Sequence, residues 1–193
     1  MRLAIVDLGY GNVGSIGIAF ERLGLAPEVS SDAERIAGAD KVILPGVGAA
    51  GHAMAEIGAR GLAGTLRSLE QPLLGICLGM QLLFEASDED DTACLGLIPG
   101  RVRALDPAEG RPVPHMGWSK LSVRDDSLGL RGGDYVYFAH GFACDMGPET
   151  AASVDYGREI PAAVCSGNRI GAQFHPERSG EAGARFLKAF LDR

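Results

Sequence analysis

Residues 73–83 read LLGICLGMQLL, and the way this stretch folds decides the architecture. Leu73 to Ile76 is a short apolar run of buried-strand type. Cys77 follows, with Gly75 and Gly79 two positions to either side, and a helix-compatible apolar run begins at once. A strand that enters a helix through one tight turn, with side chains absent two positions either way, has the logic of a nucleophile elbow, here with a thiol where G-x-S-x-G carries a hydroxyl. A cysteine at a helix N-terminus sits at the positive end of the helix dipole, which favours thiolate. A buried structural cysteine between two packing glycines has the same appearance in sequence.

Upstream of this stretch, strand-like and helix-like segments alternate. Leu3 to Leu8 is a short apolar run closing on glycines, and Val13 to Leu23 carries Val13, Ile16, Phe20 and Leu23 on one helical face. An extended piece around Val29, a buried strand at Val42 to Leu44 and one helix-like stretch from Ala53 to Leu69 lead into the strand before Cys77. This is the βαβ rhythm of a parallel sheet. From about residue 101 the texture changes to short extended segments: Val102 to Leu105, Trp118 to Val123, Tyr135 to Ala139, Ala151 to Val154, Ala162 to Cys165 and Ile170 to Phe174. Turns alone separate them, which predicts antiparallel strands added to the parallel sheet. The sequence ends in an amphipathic helix with Ala182, Phe186, Leu187, Phe190 and Leu191 facing inward. Its glycines close apolar runs and follow no period, and no Pro/Ser/Gly-rich linker divides the halves, so residues 1–193 read as one α/β domain.

Composition narrows the function classes. The 193 residues are 46% hydrophobic and 22% charged, and a chain of this size buries roughly 70% of its unfolded surface, enough for a core without staples. The net charge of −7, with both signs scattered, argues against nucleic acid or an acidic membrane as partner. No apolar stretch approaches the ~18 residues of a membrane span, and MRLAIVDLG turns polar too early for a signal peptide, so the expected location is the cytoplasm. Cys77, Cys94, Cys144 and Cys165 stand far apart without metal-ligand spacing, so neither a disulfide framework nor a metal site is expected, and nothing calls for a cofactor.

A cysteine nucleophile needs a base, and QFHPERSG at 173–180 supplies a candidate. Pro176 keeps His175 out of helical conformation, and in an extended stretch Glu177 lies on the same side as His175, able to hold one imidazole nitrogen while the other faces a thiol. A capping or turn histidine is the plainer reading. His52 opens a helix-like run and reads as solvated; His115 and His140 sit in extended segments and read as hydrogen-bonded core residues. In ILPGVGAAG, 43–51, a buried strand ends in a glycine-rich turn that either is an ordinary βα connection or directs N–H groups at an anion; with the N–H of Leu78 it would form an oxyanion hole. Residues 9–14, GYGNVG, are a literal G-x-G-x-x-G followed by Asp32 near the spacing of a dinucleotide site. Asp7 just before the loop, and the missing second mononucleotide half, weigh against that reading.

GICLGMQ together with FHPE resembles the class I, triad-type glutamine amidotransferases, and LPGVG resembles their oxyanion loop. DLGYGNVGSI at 7–16, PHMGWS at 114–119 and YFAHGF at 137–142 are similar to the glutaminase subunits of imidazole glycerol phosphate synthases, in unbroken order along the chain. The resemblance implies a three-layer, flavodoxin-like α/β fold with a mixed, largely parallel central sheet. It implies Cys77 as nucleophile, His175 as general acid/base and Glu177 as its orienting carboxylate. Val47, Gly48 and Leu78 would form the oxyanion hole; Gly46, Gly48, Gln81, Gly141 and Phe142 would hold glutamine. A separate (β/α)8 cyclase subunit would be met by Asn12, Met116, Trp118, Tyr137 and Arg178. Ser119 stands where Asn is usual, Gly141 where Ser or Thr is, Phe142 where Tyr is and Arg178 where Lys is; these departures touch contacts and leave the triad intact. Three other readings remain at this point: a glutaminase feeding pyridoxal phosphate or anthranilate synthesis, a stand-alone cysteine hydrolase of γ-glutamyl compounds, and a non-enzymatic dinucleotide-binding module.

Overall fold

The computed structural model describes residues 1–193. Strands β1 (Leu3–Val6), β2 (Glu28–Ser30), β3 (Lys41–Leu44) and β4 (Leu73–Ile76) alternate with helices α1 (Val13–Glu21), α2 (Ala33–Ala37), α3 (Ala50–Ala59) and α4 (Leu62–Ser68). The single helix expected over Ala53 to Leu69 is two, because the chain takes a left-handed turn at Gly61 (φ 68°) between α3 and α4. After Cys77 comes α5 (Leu78–Gln81), a single turn, and then two minimal strands, β5 (Ala86–Ser87) and β6 (Thr92–Ala93).

The second half supplies β7 (Arg101–Ala104), β8 (His115–Lys120), β9 (Ser122–Val123), β10 (Tyr135–His140), β11 (Phe142–Cys144), β12 (Thr150–Asp155), β13 (Glu159–Ser166), β14 (Arg169–Ala172) and the terminal helix α6 (Gly180–Leu191). The main sheet runs β2-β1-β3-β4-β14-β13-β12-β9. Its first five strands are mutually parallel, and β13, β12 and β9 continue it antiparallel.

Two expectations for the second half need correction. The segment at 170–174 joins the sheet parallel to β4, not antiparallel. The segments at 102–105 and 135–139, with most of 118–123, leave the main sheet altogether: β8 and β10 form a two-stranded ribbon, while β11, β7, β5 and β6 form a small four-stranded sheet. Alternation shows that a segment is extended but does not say which edge it joins.

Both faces of the parallel strands are buried, as a helix-covered sheet requires. Leu3, Ile5, Leu74 and Ile76 pack with Ile16 and Phe20 of α1 and Phe186, Leu187 and Phe190 of α6. Ala4, Val6, Val42 and Leu44 pack on the opposite face with Ile36, Ile57, Leu62 and Leu66. The period of two within each strand therefore feeds two separate cores and fixes register, since a one-residue slip would exchange them. The parallel strand order is the flavodoxin-like kind, in which ligands bind beyond the carboxyl ends of the strands. The loops after β1, β3, β4 and β14 all emerge at that end.

Candidate active site

Cys77 occupies a strained turn between β4 and α5, with φ 55° and ψ −113°, one of three non-glycine residues of positive φ. The flanking glycines are required by contact. A Cβ on Gly75 would lie 2.5 Å from the Gly79 carbonyl oxygen, and a Cβ on Gly79 would lie 1.9 Å from that of Leu44. The elbow is thus clamped against the end of β3. Because α5 has one turn, its dipole is smaller than the apolar run suggests, and ionic partners matter more to the thiol.

His175 is the titratable group beside it. Its backbone N–H bonds the Tyr137 carbonyl at 2.8 Å, fixing the end of the β14 extension against β10. Its Nδ1 donates to Glu177 Oε1 at 2.9 Å, and its ring lines the same cavity as Cys77, whose thiol points to the Ala139 carbonyl at 3.8 Å. Burial opposes the charged ring, but the neighbouring Cys77 thiol and the Glu177 carboxylate outweigh it and raise the His175 pKa to about 10. Glu177 reaches His175 from a 3₁₀ turn, Pro176–Arg178, instead of from the extended stretch expected, because proline at the first position starts that turn. The Glu177 side chain is 1% exposed.

A cavity of about 700 Å³ opens over this cluster. Cys77, His175, Val47, Gly48, Leu78, Gln81, Gly141 and Phe142 line it, as do Asn12, Met116, Tyr137 and Arg178 from the expected partner-facing set. Gly48 is exposed at φ 83°. Leu78, the first residue of α5, has no carbonyl within its helix to receive its N–H. Three expected site residues stand outside the cavity wall, the first being Glu177, which is buried and bonded to His175. Gly46 is buried, and a Cβ there would meet Gly79 N at 2.5 Å, so it lets β3 approach the elbow. Trp118 is 55% exposed and stands edge-on to the Tyr137 ring at 6.1 Å.

Gln81 is buried, and both its amide hydrogens are committed: Nε2 donates to the Phe142 carbonyl at 2.8 Å and to Gln173 Oε1 at 2.9 Å. Its Oε1 is left to accept from a ligand. Asn12, expected only at a protein interface, donates from Nδ2 to Glu177 Oε1 at 2.9 Å. Sequence reasoning missed Glu89, a carboxylate of the cavity wall whose Oε2 accepts the Ala50 N–H at 2.7 Å. It lies in SDEDD, where neighbouring acids hide any single one.

His115 and His140 are core residues, as read, hydrogen-bonded to each other at 3.1 Å and pushed down to about 4 by burial. His52 is exposed, as read. All four cysteines are free, and burial raises the Cys94 and Cys144 thiols. The dinucleotide reading finds its groups otherwise engaged: Asp32 caps α2, accepting the Glu34 and Arg35 N–H groups at 2.9 Å, and Asp7 takes the Gly9 N–H at 2.7 Å. No helix is long and apolar enough to cross a membrane.

The arrangement brings a thiol, an imidazole held by a carboxylate and unpaired N–H donors around one cavity, groups that can serve as nucleophile, acid/base and oxyanion donors. Residues 4–193 match the family model described as glutamine amidotransferase class-I. The chain is 52% identical over 193 residues to a Xanthomonas campestris pv. campestris protein named imidazole glycerol phosphate synthase subunit HisH, covering 98% of this chain and 96% of the relative. It is 49% identical, with the same coverage, to the like-named protein of Xylella fastidiosa. Among solved structures it resembles a crystal structure of a glutamine amidotransferase, with TM-score 0.78 and 22% identity over 100% of this chain and 98% of that one. A Thermotoga maritima structure titled PurLQS gives TM-score 0.72 and 22% identity over 99% of this chain and 97% of that one. At such identities these two likenesses speak for the fold alone.

Proposed function

This chain belongs to the class-I glutamine amidotransferase family, and from that premise we propose that it is the glutaminase subunit of imidazole glycerol phosphate synthase, working in histidine biosynthesis in the cytoplasm. The observation that carries the reading is that Cys77 and His175 line one cavity, with the His175 imidazole hydrogen-bonded to the buried Glu177 carboxylate. The near-full-length likeness to proteins named as that subunit supports the choice of synthase.

The Cys77 thiolate attacks the glutamine carboxamide carbon, forming the C–S bond as the C=O electron pair moves onto oxygen. The N–H groups of Leu78 and the Val47–Gly48 turn meet that charge, and losing one such donor costs roughly 10²-fold in rate. Protonated His175 gives its proton to the departing nitrogen, the C–N bond breaks, and ammonia leaves behind a γ-glutamyl thioester. Neutral His175 then takes a proton from water, whose oxygen displaces sulfur to release glutamate. Glu177 holds the imidazole in the required tautomer throughout. At the amino-acid end, Glu89 and Gln81 Oε1 offer acceptors to the α-ammonium, and the backbone at Gly141 and Phe142 faces the α-carboxylate.

The ammonia passes to a (β/α)8 cyclase subunit in a heterodimer, where it yields imidazole glycerol phosphate and an aminoimidazole carboxamide nucleotide. The docking face is the β8–β10 ribbon, where Met116 and Trp118 are 64% and 55% exposed, with Tyr137 and the Arg178 guanidinium 5.9 Å over its ring. An oxyanion peptide at Val47–Gly48 that turns inward on docking keeps glutamine from being wasted, since Gly48 has the backbone freedom to flip. The test is glutamate release by the chain alone and with the cyclase and its nucleotide. Stimulation by the partner, abolished in Cys77→Ala, is expected; full activity without the partner identifies a stand-alone hydrolase instead.

A further inference from the structure

The strand β10 belongs to the ribbon and β11 to the small four-stranded sheet, so the chain changes sheets at Gly141. The corner is closed by a side chain: His140 Nδ1 donates to the Phe142 carbonyl at 2.7 Å. A carbonyl only accepts, so this bond assigns the Nδ1–H tautomer to His140 and makes Nε2 an acceptor. The His115 Nδ1–H supplies the donor at 3.1 Å, and His115 Nε2 in turn accepts the Ser119 hydroxyl at 2.9 Å. Burial keeps both rings neutral, which this donor order requires.

The Phe142 carbonyl is a junction. It also accepts Gln81 Nε2, whose other hydrogen goes to Gln173 Oε1, and Gln173 Nε2 points to Cys77 Sγ at 3.9 Å. Opposite β7, the Leu105 N–H bonds the Gly141 carbonyl, so Phe142 falls at a non-hydrogen-bonded position and turns its N–H and C=O away from β7. Two imidazoles buried beside Phe138 and Tyr156 are costly compared with apolar rings of like size, so their bonds need to accomplish something packing would not.

We propose that His140 is a positioning residue for the glutaminase reaction: its bond to the Phe142 carbonyl sets the backbone and the Gln81 amide that border the amino-acid end of glutamine, and His115 holds it in the one tautomer that does so. The inference rests on reading the cavity as a glutamine site. Ser119 lies on the strand that also carries Met116 and Trp118, so the same bonds tie the proposed docking ribbon to the substrate pocket.

The test compares wild type, His140→Asn, His140→Leu and Cys77→Ala in glutamate release by the complex with the cyclase and its nucleotide. Asn keeps a donor near the Nδ1 position, and its KM for glutamine should stay within about threefold of wild type. Leu removes the donor and should raise KM about tenfold or more with kcat within about threefold. Wild-type KM in the Leu variant, or equal losses of kcat and KM in both variants, overturns the proposal. Cys77→Ala reports separately on the glutamine reading: if it retains turnover, that reading fails whatever the histidine variants do. Should His140→Leu not fold, nitrogen-15 spectra of the wild-type imidazoles decide, with Nδ1–H on both rings expected and Nε2–H on His140 contradicting the assignment.

Discussion

Asn12 and His175 bind the same carboxylate oxygen: the Asn12 amide donates to Glu177 Oε1 at 2.9 Å, and His175 Nδ1 donates to it at 2.9 Å. Glu177 Oε2 is buried without a partner, so Oε1 carries the orientation of the carboxylate alone. Asn12→Ala should therefore loosen Glu177 and lower kcat about tenfold, with KM for glutamine little changed. Steady-state kinetics of the complex check this, and an unchanged kcat would leave Asn12 as an interface residue only.

Glu89→Gln keeps an acceptor for the Ala50 N–H while removing the charge. If the carboxylate receives the α-ammonium of glutamine, KM should rise about tenfold or more and kcat should change little, since charge-assisted bonds exceed neutral ones. A variant with wild-type KM would remove Glu89 from the pocket's working set.

Gly79→Ala drives a Cβ to 1.9 Å from the Leu44 carbonyl oxygen, against backbone that has no free direction in which to move. The expected destabilisation is about 3 kcal/mol or more, at the upper end of overpacking costs. Urea unfolding measures it, and a loss below about 1 kcal/mol would show that the elbow and β3 are less tightly clamped.

The buried histidines set a pH dependence of stability. His115 and His140 titrate near 4 when folded against about 6.5 unfolded. The unfolded chain thus binds more protons in between, and their contribution is complete above 6.5 and lost as pH falls toward 4. His175 has the opposite sign: raised to about 10, its contribution is complete below 6.5 and is lost as pH climbs through 10. Urea midpoints should fall already between pH 6.5 and 5, above the ordinary carboxylate range. The first proton taken up by the two rings accounts for a loss on the order of 3 kcal/mol down to pH 4. A midpoint flat over that interval would mean that the pair accepts a proton without cost.

Much of the fold and of the site is legible in the sequence. The Gly75–Cys77–Gly79 spacing and the apolar runs on either side of it are local patterns that local sterics carry into the fold, and the His175–Pro176–Glu177 succession gives the expected pairing of imidazole and carboxylate through a 3₁₀ turn in place of an extended stretch. Gly61 breaking one long apolar stretch into two helices, and 102–105 and 135–139 leaving the main sheet, depend on edges that alternation does not specify. Glu89, and the bond from Asn12 to Glu177, are hidden for different reasons. Glu89 sits among acids of equal appearance in SDEDD, and Asn12 lies 165 positions from the carboxylate it holds, in a glycine loop that imitates a nucleotide site. Asp32 shows the converse: at the spacing of a ribose ligand, it serves as an ordinary helix cap.

Covalent chemistry at Cys77 assisted by His175 is the central step of the proposed reaction. The most direct measurement is glutamate release by Cys77→Ser in the complex with the cyclase and its nucleotide, with correct folding confirmed by its unfolding midpoint. A hydroxyl in this turn is a far weaker nucleophile than the thiolate, and activity should fall at least about 10³-fold. A folded serine variant retaining activity within about tenfold of wild type would contradict the mechanism.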